Sequence, residues 1–532
     1  MTVPARTRPP LSVAIQLLVL LAVCAFVYFF RLGDGGFYGT EAHRAVPAYE
    51  LLDLVRQRAA QADDWFIPSM FEQPYLRKPP GMPWAIAGMS VLLGETVFAA
   101  RAVSALSCTI MAVLAFCFAR RWFGRRAALP AGLAQALMPV LWETGRAAEI
   151  EPLNNLGTQI AALALIDALV FARTKPGRVL WAIIAAFGVI WFALAKGPAS
   201  APVIAGVILA ACVALRSWRP VAGVRWSTLT VAGLAIAGLA TVTYEFLDEQ
   251  SVEPITQSPS AFMFEPGMIL GVLTLPFAAF ASMLPASFAL LFPWGPDARH
   301  EIDVDDGPGT SAFTLARTIT IAWLITIVLF MIFGVRNPRY TLPAAGLLPP
   351  LAGFYLAGLP VWVASKRARI ARTLTLGRPA ILAAALLIGS VVYMFTVEAN
   401  RRATSGTDAG TAIGEALAAW VEAHPEPVVV IANDVVEARP EVVLAMQRVL
   451  VERSVPHRVL WTPALEIADR ELDESATLIA LLRTDEESRE SGINIIAGRP
   501  LVPLAQSRDH EGWEFHKYGA DMYLVEPDTF VK

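Results

Sequence analysis

The chain has 532 residues, 55% of them hydrophobic and only 17% charged, with a formal net charge of −3 and a mean hydropathy of +0.52. That balance excludes an ordinary soluble enzyme and reads as a polytopic membrane protein. The near-neutral charge gives no sign of a nucleic-acid partner, and the four cysteines (Cys24, Cys108, Cys117 and Cys212) all lie in apolar runs, so no disulfide scaffold is available to the polar tail.

Residues 11–30 (LSVAIQLLVLLAVCAFVYFF) carry no charge, and a crossing needs roughly 20 apolar residues. The run ends at Phe29-Phe30-Arg31 with no small-residue cleavage site, so it reads as a first span and not as a removed leader. Further apolar runs follow at 99–119, 127–142, 153–171, 179–194, 199–215, 227–244, 268–292, 313–335, 341–359 and 381–397. Together they predict about eleven crossings. Short basic connections alternate with them, at Arg120-Arg121 with Arg125-Arg126, at Arg173/Lys175/Arg178, at Arg216/Arg219/Arg225 and at Lys366/Arg367/Arg369/Arg372/Arg378. Lysine and arginine favour the cytoplasmic side, which places the N-terminus inside and everything beyond residue 398 outside. The acidic connection 297–306 also falls inside, against the trend although not against a rule that counts Lys and Arg alone.

Within the first outer segment, residues 85–93 are apolar but too short to cross, and a crossing there would invert every basic loop downstream. They are read as an interfacial helix. Beyond Ala403 the pattern changes: 428–434 (VVVIAND) and 476–483 (ATLIALLR) read as buried strands, and 412–423 and 441–453 as helices. The expected organisation is a membrane domain over residues 1–402 and a small exported α/β domain over 403–532.

The chemistry-bearing residues gather on the outer side of this topology. The first outer segment opens with GDGGFYGTEAHRAVPAYELL, carrying Glu41, His43 and Arg44, and continues to EQPYLRKPPGMPW, where Arg77 and Lys78 precede two prolines. The second is GRAAEIEPLNN, with Arg146, Glu149 and Glu151. LAKGPAS carries Lys196, and RNPRY carries Arg336, Arg339 and Tyr340. Carboxylates at a bilayer edge are costly and point to function, although Glu41 can also serve as a helix cap, Glu149 and Glu151 as wet loop residues, and Lys196 as a snorkelling helix end. Of the six histidines only His43 and His300 lie in the membrane half, and neither HExxH nor CxxC occurs. No metal or other cofactor is indicated.

Taken as an ordered set, YGTEAHRA, PYLRKPPGMPW, FAARAVSAL, RRWFGRRAA, GRAAEIEPL, LAKGPAS and RNPRYTLPAAGLLPPLAG resemble the bacterial glycosyltransferases related to aminoarabinose transferases and protein O-mannosyltransferases. These form a GT-C class, and the resemblance runs over residues 33–358. It implies a polyprenyl-phosphate-sugar donor, an active site on the non-cytoplasmic face of the bacterial inner membrane, and no nucleotide sugar. The family's acidic pair in the first loop falls on Thr40 and Glu41, leaving Glu41 as the candidate base. The second-loop acid falls on Glu151, with Glu149 beside it, and the family's Lys-Pro-Pro on Lys78-Pro79-Pro80, where the resemblance sets the lysine near the donor phosphate. Arg77 stands where relatives often carry a metal-holding acid, which argues against that metal. The two prolines fix the backbone that aims these cations, and preplaced cations stabilise charge growing on a leaving phosphate. The resemblance therefore implies inverting transfer of a sugar to a glycolipid such as lipid A, a glycan or a protein. Two rivals are a lipid-linked glycan transporter, which would call for charges buried mid-span, paired broken helices and internal repeats, none of them read in the sequence, and an inactive relative that binds polyprenyl lipids, which the departure at Thr40 would suit.

Overall fold

The computed structural model describes residues 12–71, 73–75, 78–172, 174–217, 266–291, 312–335, 337–366, 378–400, 407–424, 427–432, 439–460, 477–483, 495–496, 499–506 and 520–525. In chain order the helices are α1 Val13–Cys24, α2 Ala42–Arg56, α3 Ala62–Phe66, α4 Gly81–Leu93, α5 Val97–Phe123, α6 Arg125–Ala136, α7 Pro139–Gly145, α8 Ile150–Ile166, α9 Lys175–Lys196, α10 Ala201–Leu215, α11 Pro266–Ser282, α12 Ala312–Ile332, α13 Leu348–Lys366, α14 Arg378–Tyr393, α15 Thr407–Ala423 and α16 Pro440–Glu452. The strands are β1 Ser69–Met70, β2 Gln73–Pro74, β3 Val428–Ile431, β4 His457–Leu460, β5 Thr477–Arg483, β6 Ile495–Ile496, β7 Arg499–Gln506 and β8 Ala520–Val525. The chain falls into two compact units, one of residues 1–32 with 101–393, the other of 33–100 with 394–532.

The first unit is helical. Among the described residues four segments are long and apolar enough to cross a bilayer: Val97–Phe123, Ile150–Phe171, Lys175–Leu215 and Ala312–Ile332, the first of which begins in the second unit. The run Lys175–Leu215 is broken after Lys196, where Gly197 adopts φ +67° and a 3₁₀ turn over Gly197–Ser200 separates α9 from α10. Shorter apolar helices include Val13–Phe29 and Ala385–Glu398. The predicted crossing at 227–244 and the acidic connection at 297–306 lie outside the described residues.

Two features of this unit place the site. Helices α8 and α9 pack backbone to backbone through glycines: a Cβ on Gly188 would lie 2.5 Å from Ala161 N, and one on Gly157 would lie 2.7 Å from Phe192 N. Small residues at such crossings let membrane helices approach closely. The second feature is the segment Pro338–Leu347, read from sequence as the start of a regular span at 341, which forms 3₁₀ turns before α13 begins. Pro343 supplies no N–H for an i→i−4 bond, and Pro349 and Pro350 remove two more donors from the next turn. A Cβ on Gly346 would meet the Gln159 side chain at 2.8 Å, so this segment also lies tight against α8.

Two buried arginines hold the end of the first span. Arg146 donates to the carbonyls of Val27 and Phe30, both at 2.8 Å, and Arg101 donates to that of Leu32 at 3.1 Å. The last carbonyls of a helix have no partner within it, and these guanidiniums supply donors there. At α5 and α8, Arg121 Nε and Nη2 reach the Asp167 carboxylate at 2.6 and 3.2 Å, and Trp122 Nε1 reaches it at 3.1 Å.

In the second unit the strands at the C-terminal end form a six-stranded sheet in the order β4-β3-β5-β8-β7-β6. β3 is parallel to β4, pairing Val428 with His457, and parallel to β5, pairing Val428 with Thr477. The remaining pairings are antiparallel, with a register shift between Pro503 and Ala505, where proline cannot donate to the ladder. β3, α16 and β4 form a parallel crossover. Helix α15 lies so close to α16 that a Cβ on Gly410 would sit 2.1 Å from Val442 O. Helix α4 leaves Val91, Leu92 and Leu93 exposed.

Candidate active site

In the first unit, five of the sequence-derived candidates converge. Glu149 precedes α8 in extended backbone, and Glu151 lies in its first turn. Lys196 is the last residue of α9. A carboxylate at a helix N-terminus and an ammonium at a C-terminus each complement the helix dipole, and the glycine crossing brings those two ends together. Lys196 Nζ lies 3.0 Å from Glu151 Oε1. Arg339 closes the group, with Nη2 3.1 Å from Glu149 Oε2 and Nε 3.1 Å from Glu151 Oε1. Lys196 also sits 4.9 Å from the centre of the Tyr340 ring.

Most of this cluster is shielded. The side chains of Lys196, Glu151 and Glu149 are 13%, 10% and 14% exposed, whereas that of Arg339 is 41% exposed, and Tyr340 is exposed. Two carboxylates thus hold two cations in place, with the guanidinium and the phenol ring presented outward. The formal charges of these four side chains cancel, so the cations are kept oriented without an uncompensated charge being buried.

Several positioning groups were not visible as such in the sequence. Ser104 on α5 donates to the Glu149 carbonyl at 3.0 Å and accepts from its N–H at 3.2 Å. Asn337 Oδ1 accepts from Arg339 N at 2.9 Å, and its one sequence signal was the Asn-Pro pair, a common turn starter. Arg336, beside it, lies outside the described residues. Arg146 is fully buried and spends its guanidinium on the carbonyls of the first span, a structural use of a residue the sequence offered as a site candidate.

The second unit holds the other candidates. Glu41 is fully buried immediately before α2, and its Oε2 accepts the Tyr38 N–H at 3.0 Å; Thr40 beside it is exposed. His43 is buried in the first turn of α2. Arg44 Nη1 donates to Tyr75 Oη at 2.8 Å, and the Tyr75 N–H donates to the Pro68 carbonyl at 2.8 Å, tying α2 to the stretch that carries Lys78. Lys78 is exposed, and Pro80 is the residue that opens α4. Arg77 lies outside the described residues. Glu50 steadies the same loop, accepting from Ser69 Oγ and Phe71 N, both at 2.6 Å. Among the described residues no group of three or more His, Cys, Asp or Glu side chains is gathered as metal ligands.

The fold is similar to that of the membrane protein ArnT, over nearly the whole of both chains. The crystal structure of ArnT from Cupriavidus metallidurans in the apo state superimposes with a TM-score of 0.63 at 16% identity, covering 97% of this chain and 99% of that one. The structure of the same protein bound to undecaprenyl phosphate gives 0.61 at 14% identity, covering 96% and 98%. A family model described as dolichyl-phosphate-mannose-protein mannosyltransferase matches residues 77–244. The undecaprenyl phosphate-alpha-4-amino-4-deoxy-L-arabinose arabinosyl transferase of Pseudomonas aeruginosa (strain LESB58) is 27% identical over 168 residues. That match takes in 31% of this chain and spans 29% of the relative's length.

Proposed function

We propose that this chain is an inverting glycosyltransferase that moves a sugar from a polyprenyl-phosphate donor to a glycolipid, glycan or protein acceptor. The reaction is placed on the periplasmic face of a bacterial inner membrane, with the tail beyond residue 403 on the same side. The observation that carries the reading is the cation pair Lys196 and Arg339, fixed by Glu151 and Glu149 at the ends of apolar helices. A leaving lipid phosphate gains negative charge as its bond to the sugar breaks. Cations already oriented stabilise that charge without reorganisation at the moment of reaction. A phosphate oxygen competes for the donors now spent on carboxylates, and the fork of Arg339 suits a bidentate contact.

In a single displacement the acceptor oxygen attacks the anomeric carbon, the bond from that carbon to the phosphate oxygen breaks, and the electron pair leaves on the phosphate. The acceptor's proton must go to a base. The family resemblance assigns that role to Glu41 and a phosphate contact to Lys78; Arg77 and Arg336, which lie in the outer segments of the sequence, are further candidate cations on their own chemistry. Support for the donor class comes from the ArnT fold, whose solved representative is described bound to undecaprenyl phosphate.

The test is release of free polyprenyl phosphate from a sugar-loaded donor by the purified protein in detergent, beside a parallel reaction offered nucleotide sugars. Turnover with the lipid donor alone is expected. Glu41→Gln should cost about 10²-fold in turnover, with Glu151→Gln also impaired and Glu149→Gln less so. Use of a nucleotide sugar in place of the lipid donor overturns the reading, and wild-type rates in Glu41→Gln remove that residue from the role of base.

A further inference from the structure

Lys196 must be held at the end of a helix that stops abruptly. Gly197 follows it at φ +67°, where a Cβ would have no heavy atom within 4 Å, and the chain turns through Gly197–Ser200 into α10. No side chain caps the start of that turn, and at its end the Ala201 N–H donates to the Pro198 carbonyl. The fourth residue of the turn, Ser200, is fully buried, and its side-chain bonds go to α8. Ser200 Oγ donates to Asn154 Oδ1 at 3.2 Å, and Thr158 Oγ1 lies 2.6 Å from Ser200 Oγ. Thr158 is in turn bonded to the Asn154 carbonyl at 2.8 Å.

Glu151, Asn154 and Thr158 are spaced at i, i+3 and i+7, which puts them on one face of α8. That face therefore grips the α9–α10 turn at two points, Glu151 on Lys196 and Asn154/Thr158 on Ser200. One grip is ionic and faces the outward-presented end of the cluster. The other is a buried hydroxyl and amide network inside the bundle, with no charge and no exposure to a substrate.

We propose that Ser200, Thr158 and Asn154 are positioning residues that set the direction of the Lys196 ammonium through the rigid turn between them. This rests on the reading of Lys196 as a donor-phosphate contact. Losing one hydroxyl of the network leaves the Lys196–Glu151 pair chemically intact but lets the turn rotate, so the ammonium samples more orientations and more solvent.

Two measurements decide it. The first needs no turnover: amine acylation of the purified full-length protein in detergent, with the labelling rate of Lys196 read by peptide mass spectrometry against the exposed Lys78 as internal reference. Thr158→Val, which removes the hydroxyl and keeps the shape, should raise the Lys196/Lys78 ratio about three- to tenfold. Thr158→Ser, which keeps the hydroxyl, should stay near wild type. The second is donor turnover: Thr158→Val should lower kcat/KM by a factor of about three to ten, the equivalent of one hydrogen bond. That loss should disappear in a Lys196→Met background, because the network acts through the lysine. An unchanged labelling ratio in Thr158→Val, a Thr158→Ser variant as perturbed as Thr158→Val, or a kinetic loss that persists undiminished without Lys196 overturns the proposal. If the wild type turns over no polyprenyl donor at all, the function reading fails, and the labelling ratio still judges the positioning role.

Discussion

Lys196, at the end of α9, and Glu151, in the first turn of α8, meet across the helix crossing: Nζ and Oε1 lie 3.0 Å apart with both side chains largely shielded. Breaking a shielded pair leaves one charge without its partner, and the cost of that exceeds the net worth of the pair. Because Arg339 also holds Glu151, Lys196→Met should destabilise the protein by about 1.5–3 kcal/mol, the scale of one charged hydrogen bond. Lys196→Met combined with Glu151→Gln should cost less than the two single changes added together. Thermal unfolding in detergent measures all three; strict additivity would show that the pair is not coupled.

The glycine crossing that delivers this pair makes its own prediction. Gly188→Ala places a methyl group 2.5 Å from Ala161 N and 2.7 Å from Gly157 O, with backbone on every near side. Overpacking of this kind costs about 1–3 kcal/mol, and here the helices must separate to relieve it. We expect a lowered melting temperature together with reduced donor turnover, since the same crossing brings Glu151 to Lys196. An equally small change at Gly389, where the nearest atom is Trp142 Cη2 at 3.5 Å, should be tolerated.

Much of this was legible in the sequence, and the part that was not has a physical cause. Lys196 announced itself as a cation closing a long apolar run, and Glu151 and Arg339 as charges at span ends, because charge at a bilayer edge stands out against hydrophobic neighbours. Which of them pair depends on the Gly157–Gly188 contact, a relation between residues 31 apart in sequence that no local pattern encodes. Arg146 looked like a further site residue for the same reason that Lys196 did, yet it is drawn to the Val27 and Phe30 carbonyls by the unmet acceptors of the first span. Ser104, Ser200 and Thr158 carried no signal at all, since small hydroxyl residues are common in apolar helices and acquire a role only through what they face. The run from residue 341 read as the start of a regular helix because its composition is apolar; Pro343, Pro349 and Pro350 withhold donors that an α-helix requires.

The Asp167 network should separate stability from catalysis. Asp167 is fully buried, and its carboxylate accepts from Arg121 and from Trp122. Asp167→Asn removes the charge that these donors surround and should lower stability by about 1–3 kcal/mol, discounted toward the lower end because Arg121 is partly exposed. Turnover per folded molecule should be unchanged. A selective loss of turnover at full stability would give Asp167 a part in the chemistry.

Tyr75 should matter through Lys78. Tyr75→Phe deletes the acceptor of the Arg44 bond at 2.8 Å and so removes one of the ties between α2 and the stretch leading to Lys78-Pro79-Pro80. A loss of about 0.5–1.5 kcal/mol is expected, with the Michaelis constant for the lipid donor raised more than kcat is lowered. Lys78→Ala should reproduce that pattern and exceed it, and adding Tyr75→Phe to Lys78→Ala should have little further effect.

Whether Lys196 and Arg339 receive the donor's phosphate is tested most directly by equilibrium binding of polyprenyl phosphate to the full-length protein, in detergent at fixed low ionic strength, where no chemistry intervenes. Two charged contacts at about 1.5–3 kcal/mol each predict that Arg339→Ala weakens binding by about tenfold or more, that Arg339→Lys restores it only in part because the fork is lost, and that Arg339→Ala with Lys196→Met weakens it further. Binding that is indistinguishable between the wild type and the double variant, with both proteins folded, would contradict the assignment of this cluster to the lipid phosphate.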